Sequence, residues 1–289
     1  MIVSASYRTD IPAFYPGWLM ARLAAGFARV KSPYGGRSST IALRPDAVDG
    51  FVFWTRNAAP MAPHWERVRR VAPFYLQFTL TGYPRALEAG TLAPAAALRQ
   101  MRSVARRFGP RAVVWRYDPI VLSTATPPDW HAANFARLAR ALAATADEVV
   151  VSFVQPYRKT VRNLDAAAHA HGFAWRDPSD DEKRDLIARL VPVAQARGMR
   201  LTLCTQPQLV AAGAGEARCI DAARLSAVAG RPIAAREKGN RLGCRCAESR
   251  DIGAYDSCAQ GCVYCYAVAD RVRAAAQLKR HDPAAPALG

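Results

Sequence analysis

Three thiols stand close together near the end of the chain, in Cys258-Ala259-Gln260-Gly261-Cys262-Val263-Tyr264-Cys265-Tyr266-Ala267. Their spacing is Cys-x-x-x-Cys-x-x-Cys. Three thiolates on one tight loop can hold three irons of a cubane [4Fe-4S] cluster and leave the fourth iron open to a small molecule. An open coordination position is a catalytic arrangement, whereas a fully ligated metal is structural. A zinc site or a chance cysteine triplet is the plainer alternative. The other four of the seven cysteines are Cys204, Cys219, Cys244 and Cys246. They could form a closed four-thiolate site for a second iron–sulfur cluster or for zinc. Cys244 and Cys246 can share one metal only across a bent backbone, which Gly243 favours. The plainer reading of this set is a buried strand-end thiol at Cys204 and a free one at Cys219.

Composition limits what surrounds these thiols. The chain has 289 residues and is 51% hydrophobic, enough for a sizeable core. It contains no apolar run of 18 or more residues, so no membrane span is expected. The start, Met1-Ile2-Val3-Ser4, reads as a strand rather than a signal peptide, so a cytoplasmic location is expected. Cysteines in such a chain point to metal or redox work rather than disulfides. The net charge of +17 suggests an anionic partner such as nucleic acid. That partner is not favoured: the excess is scattered arginine in an alanine-rich chain, and Arg99, Arg102, Arg106, Arg107 and Arg111 read as one solvated helix face.

The elements that must position the thiols alternate. Strands are expected at Met1–Ser6, 28–33 (with a turn at Pro33), Gly50–Asn57, Phe74–Thr81, Ala112–Pro119, Glu148–Val154 and Met199–Cys204. Helices are expected at Phe14–Phe27, Pro63–Val71, Pro94–Phe108, Pro128–Ala143, from Ser179 to about Arg197 with a kink at Pro192, at Asp221–Val228 and at Cys265–Leu278. Alternation of this kind predicts an α/β fold, a (β/α) TIM-like barrel, complete or partial, with a C-terminal cysteine-rich metal-binding segment. The expected division is a barrel core over 1–206, a cysteine-rich segment over 207–280 packed on the barrel mouth, and a disordered tail over 281–289. No internal repeat occurs.

Function in such barrels gathers at the C-terminal ends of the strands. Arg8, Thr9, Asp10, Trp54, Arg56, Asn57, Thr79, Thr81, Arg116, Asp118, Ser152, Gln155 and Cys204 all leave strands there. Singly each is a cap or turn residue; together they predict a pocket. Asp10, Arg116, Tyr117 and Asp118 are the candidate catalytic residues. Asp10 and Asp118 could meet across the mouth. The five histidines show no metal-binding spacing, and no phosphate-binding loop or dinucleotide fingerprint is present.

Two resemblances attach to these residues. Ser4-Ala5-Ser6-x-Arg8-Thr9-Asp10-Ile11-Pro12, Phe53-Trp54-Thr55-x-Asn57, Trp115-Arg116-Tyr117-Asp118-Pro119 and the Ser249 to Ala267 block resemble a bacterial family catalogued as a domain of unknown function. The cysteine loop, with Tyr264, Tyr266 and Ala267, resembles that of radical S-adenosylmethionine (SAM) enzymes, particularly the spore photoproduct lyase-like branch. Those enzymes carry the loop after the first strand, so the resemblance implies a circular permutation, with the loop and the helix after it packing beside Ile2 to Ser6. It further implies that Arg8, Thr9 and Asp10 take the place of the glycine-rich SAM-binding segment. Asp10 would accept the ammonium and Arg8 would pair with the carboxylate. No Gly-Gly-Glu-like run occurs here. The implied chemistry is reductive cleavage of SAM to a 5′-deoxyadenosyl radical acting on an unknown substrate, with flavodoxin or ferredoxin as electron donor, Tyr264 shielding the cluster and Tyr117, Tyr157 or Cys204, among which the sequence does not select, relaying a hydrogen atom. Two further readings stand beside it: a nucleic-acid repair or modification lyase using the same cluster, and a non-enzymatic barrel with structural zinc or an electron-transfer cluster.

Overall fold

The computed structural model describes residues 1–32, 35, 38–210 and 213–288. In chain order the elements are β1 (Ile2–Ser4), α1 (Ile11–Phe14), α2 (Pro16–Ala25), β2 (Phe27–Lys31), β3 (Ser38–Ala42), β4 (Gly50–Thr55), α3 (Trp65–Val71), β5 (Phe74–Thr79), α4 (Pro94–Phe108), β6 (Val113–Ile120), β7 (Leu122–Ser123), α5 (Pro128–Leu142), β8 (Glu148–Phe153), α6 (Arg158–His171), β9 (Trp175–Arg176), α7 (Asp180–Gln195), β10 (Arg200–Leu203), β11 (Gly215–Glu216), α8 (Ala222–Ala229), β12 (Ser249–Asp251) and α9 (Arg271–Arg280).

Eight strands form one parallel sheet in the order β11-β10-β8-β6-β5-β4-β1-β12. The expected α/β class is therefore present. The sheet is not a complete barrel: among the described residues β11 and β12 are its two edges and do not pair with each other. The strand expected over 28–33 does not join the sheet. As β2 it pairs antiparallel with β3, Phe27 opposite Ala42. The turn expected at Pro33 and the terminal Gly289 lie outside the described residues.

Strand alternation sorts the side chains into two cores. On one face Phe51, Phe53, Phe74, Leu76, Phe78, Val113, Trp115, Val149, Val151 and Leu201 pack against α2, α3, α4, α5 and α7. Trp65 stacks on Phe74 with ring centroids 4.9 Å apart, and Trp115 on Phe135 at 4.8 Å. Each such buried side chain contributes about 1.5–3 kcal/mol. On the other face Ile2, Val52, Tyr75, Val114 and Val150 meet Ala217, Cys219, Ile220, Leu225, Ile233, Cys246 and Ala247. Burial on both faces explains why these strands read as unbroken apolar runs.

The second core covers the other face of the sheet. Residues 217–247 lie across the face that a closed barrel would wrap around itself. Arg224 on α8 fastens this segment beneath the sheet, bonding Asp147 Oδ1 at 2.8 Å, Glu148 Oε2 at 2.7 Å and Arg111 O at 2.9 Å. Gly50 has no room for a side chain, since a Cβ would stand 2.7 Å from Leu225 Cδ2. Residues 207–280 are thus no separate cap on a finished barrel: β11 and β12 supply both edges of the sheet, and α8 fills its inner face.

Three local expectations change. The helix expected over Phe14–Phe27 breaks at Tyr15, because Pro16 starts a new helix there. The helix expected from Cys265 begins only at Arg271, where the Asp270 side chain accepts from Val272 N and Arg273 N. The tail expected to be disordered is docked over 281–288. Trp18 Nε1 donates to Ala285 O at 2.9 Å, Arg22 Nη2 to Ala284 O at 2.8 Å and Arg29 N to Pro286 O at 2.7 Å, while Leu288 is buried in the helix-side core. The Ser179–Glu182 capping box on α7 forms as its sequence suggests.

A chain ending at Asp282 would leave the Trp18 and Arg22 donors without these acceptors and expose the Leu288 site. We expect it to be about 2–5 kcal/mol less stable, read from the urea midpoint. A midpoint equal to that of the full chain would show that the tail docks without contributing.

Candidate functional site

The cysteine loop begins at β12, which lies parallel to β1 with Ile2 opposite Ser249 and Ser4 opposite Asp251. Three residue pairs cannot hold a strand, and Asp251 supplies the rest. Its carboxylate accepts from Ser4 Oγ at 2.6 Å, Ser6 Oγ at 2.8 Å, Tyr7 N at 3.1 Å and Gly253 N at 2.9 Å. Arg8 binds the same group through Nη2 at 2.8 Å and Nε at 2.9 Å. Thr9 Oγ1 bonds Ala254 O at 2.7 Å and Ser257 Oγ at 2.6 Å. A Cβ on Gly253 would fall 2.1 Å from Ser6 Oγ. Ser4, Ser6, Arg8 and Thr9 thus bind the two ends of the chain together. Arg8 pairs with a carboxylate of this chain, and Thr9 is turned to the turn before the loop; both had been expected at a SAM site.

Asp10 holds the loop itself. One oxygen accepts from Thr55 Oγ1 at 2.8 Å and Ala13 N at 3.1 Å, the other from Arg56 N at 2.9 Å and Gln260 Nε2 at 2.8 Å. Burial pushes its carboxyl up, and these four donors oppose the shift. With both oxygens doubly engaged, Asp10 is a positioning residue rather than the expected ammonium acceptor. Nor does it meet Asp118, which lines a different cavity.

The far side of the loop rests on residues 87–90. Val263 N donates to Leu87 O at 3.1 Å, Gly90 N donates to Gln260 O at 2.9 Å, and Cys262 forms an isolated bridge with Glu88. A Cβ on Gly90 would stand 2.5 Å from Gln260 O. Tyr264 is buried. Its hydroxyl donates to Glu88 and accepts from Arg56 Nη2 at 2.6 Å, while Arg56 Nη1 pairs with Glu88 Oε1 at 2.8 Å. Sequence spacing did not single out Glu88 or Gln260. Glu88 gains its role by contact with the loop, and Gln260, within the loop, by reaching Asp10.

Cys258, Cys262 and Cys265 line one cavity of about 610 Å³ together with Arg85, Arg162 and Arg271. All three thiols are pushed up by burial, Cys262 to about 12. Thiols kept neutral by desolvation and by one another are what a bound cation would deprotonate. Their donor chemistry fits an iron–sulfur cluster, with the left-handed Gly261 (φ +75°) letting the loop turn between the first two. As they stand, no three His, Cys, Asp or Glu side chains among the described residues are set to hold a metal ion.

The other four thiols share a second cavity, about 910 Å³, at the C-terminal ends of the strands. Cys204 ends β10, Cys219 follows β11, and their Sγ atoms are 3.5 Å apart. Cys246 Sγ accepts from Ile220 N at 3.4 Å. The hydrogen bond from Cys246 lowers the Cys244 thiol to about 6, with help from the Cys246 and Asn240 backbone. Arg116 donates to Cys219 Sγ at 3.0 Å and pairs with Asp118, which also accepts from Ser152 Oγ. Arg8, Trp54, Gln155 and Tyr266 line the same space.

The expected mouth therefore divides. Arg8, Trp54, Arg116, Asp118, Ser152, Gln155 and Cys204 face the large cavity, whereas Thr9, Asp10, Arg56, Asn57, Thr79 and Thr81 do not. Tyr117 is a correction. It lies between Arg116 and Asp118 on β6, so the pleat turns it to the helix-side core. There its hydroxyl bonds His131 Nδ1 at 2.8 Å and Asn134 Nδ2 at 3.1 Å. It touches neither thiol set and is no catalytic candidate. The alternation of β6 was the available signal.

A family model described as Domain of unknown function (DUF1848) matches residues 2–267, and the chain belongs to that family. No curated protein and no solved structure matches. No helix among the described residues is long and apolar enough to cross a membrane.

Two outcomes test this packing. Glu88→Ala strands the buried Arg56 cation and is expected to cost about 3–5 kcal/mol, whereas replacing both residues by apolar ones recovers most of it. A single variant within about 1 kcal/mol of the parent would remove Glu88 from the loop's support. Burial lowers the His131 imidazole to about 4, so it folds neutral, accepting from Tyr117 and donating to Val121 O at 3.0 Å. A lowered folded value means stability is present above the unfolded value of about 6.5 and is lost as pH falls toward 4, by roughly 2–4 kcal/mol. His131→Asn should flatten that slope in urea titrations; an unchanged slope would mean His131 is already accessible to protons.

Proposed function

We propose that this member of the DUF1848 family is an iron–sulfur enzyme resembling a circularly permuted radical SAM enzyme, with Cys258, Cys262 and Cys265 holding the cluster. The observation that carries the reading is β12. The strand that leads into the cysteine loop is the sheet's edge neighbour of β1, parallel to it, although about 245 residues separate them in sequence. This supports the reading, since radical SAM enzymes carry their cluster loop after a first strand. The three thiols on one cavity wall supply the donor chemistry. The cluster and SAM, when bound, would supply one-electron reductive cleavage of the sulfonium, with flavodoxin or ferredoxin as the electron donor.

The chain's own residues would do the rest. Asp10, Gln260, Glu88 and Tyr264 keep the loop in position, and Tyr264 with Tyr83 and Leu87 keeps water from its inner side. Arg116, Asp118 and Ser152 form a fixed polar wall in the larger cavity, where a substrate would be oriented. Cys204, Cys219, Cys244 and Cys246 in that wall would hold a second cluster or a zinc ion. The gathering of four soft donors from three separate segments supports this.

Protein purified without oxygen and reconstituted with iron and sulfide tests the reading. We expect about four irons per chain on the loop, or about eight if the second set also takes a cluster. We also expect an EPR spectrum of the reduced protein that changes on adding SAM, 5′-deoxyadenosine in the mixture, and loss of both in Cys262→Ala. Zinc on the loop, or a cluster indifferent to SAM, would overturn it in favour of a structural or electron-transfer role.

A further inference from the structure

Cationic side chains outnumber carboxylates in the lining of the large cavity. Among the described residues its lining carries five cationic side chains, Arg8, Lys31, Arg116, Lys159 and Arg241, against the Asp118 carboxylate and the lowered Cys244 thiol. Arg116 is matched by Asp118, and Arg8 by Asp251 behind the wall. Lys159 and Arg241 are not ion-paired among the described residues. The Lys159 ammonium lies 5.5 Å from the centroid of the Tyr255 ring, and Arg241 donates to the Tyr157 hydroxyl at 3.2 Å. Arg8 approaches the same Tyr255 ring, also at 5.5 Å, so two cations lie against one aromatic ring. Like charges gathered in a low-dielectric recess raise the potential there and draw in an anion.

The rest of the lining limits what that anion carries. Tyr7, Trp54, Tyr157, Tyr255 and Tyr266 surround the space, with Tyr7 and Trp54 edge to face at 6.0 Å. Aromatic walls receive a flat ring, and a volume of about 910 Å³ suits a ligand of coenzyme or drug size. We infer that this cavity binds a small anionic molecule with a planar ring, its phosphate or carboxylate oxygens bridging Lys159 and Arg241 and its ring held among the tyrosines and Trp54. The inference rests on the proposed function only in calling that molecule the substrate; the binding itself needs neither cluster nor SAM.

The test is calorimetric titration of the purified full chain with phenyl phosphate, benzoate and the neutral benzyl alcohol. Lys159→Gln and Arg241→Gln are compared with the parent after their melting temperatures are shown to match it. We expect saturable binding of at least one of the two anions, with Kd raised about tenfold in each variant and further by added salt, and no matching affinity for benzyl alcohol. Tighter binding of phenyl phosphate assigns a phosphate, and tighter binding of benzoate a carboxylate. Equal binding of the neutral alcohol, no saturable binding of either anion, or Kd values unchanged in both variants would overturn the inference. Anion binding in a protein that ignores SAM would sink the proposed function and leave this inference standing. A SAM response without anion binding would do the reverse.

Discussion

The carboxylate of Asp251 is the interaction on which the rest of the molecule depends. Ser4 lies 247 residues before it, and closing a loop of that length carries an entropic cost that three strand pairs do not offset. The buried aspartate offsets it by drawing two hydroxyls, two backbone N–H groups and a guanidinium onto its two oxygens. Charge-assisted hydrogen bonds inside a protein are among the stronger polar contacts, and here each partner also satisfies a group that would otherwise be buried alone. Because β12 is held in register at this point, the chain that follows emerges at the C-terminal ends of the strands.

Two consequences meet at the cysteine loop. One side hangs from the N-terminal segment through Asp10 and Gln260, the other from residues 87–90 through main-chain bonds and the Arg56–Glu88–Tyr264 group. Gly90 and Gly253 mark the two closest approaches, where any side chain would collide with Gln260 O or Ser6 Oγ. A loop supported from both sides in this way keeps its three thiols along one cavity.

The large cavity follows from a different constraint. Parallel strands send alternate residues to opposite faces, and here both faces are buried, one under helices and one under residues 217–247. Arg116 and Asp118 therefore belong to the cavity and Tyr117 to the core, though they are adjacent in sequence. The segment that fills the inner face also carries Cys219, Cys244 and Cys246 to Cys204. One stretch of chain thus covers the inner face of the sheet, anchors beneath it through Arg224 and completes the thiol-lined wall.

By itself the sequence determined what is local. The apolar strands, most helices, the capping box at Ser179 and the spacing of Cys258, Cys262 and Cys265 were all legible, because periodicity, caps and short-range ligand spacing are written in neighbouring residues. It also marked the polar strand exits, half of which do share a cavity. Only the tertiary structure decided the remainder. Nothing in Ser249-Arg250-Asp251 reads as a strand, yet it is one, since its partner is β1 at the other end of the chain. Asp10 reads as a ligand-binding acid and proves to be a buried brace, because its four donors come from three separate stretches of chain. The tail reads as disordered from its prolines and alanines, yet it docks because Trp18, Arg22 and Arg29 need acceptors that only its carbonyls supply. Contacts between residues distant in sequence leave no periodic trace in it, which is why composition and spacing could name the thiols but not the groups that hold them.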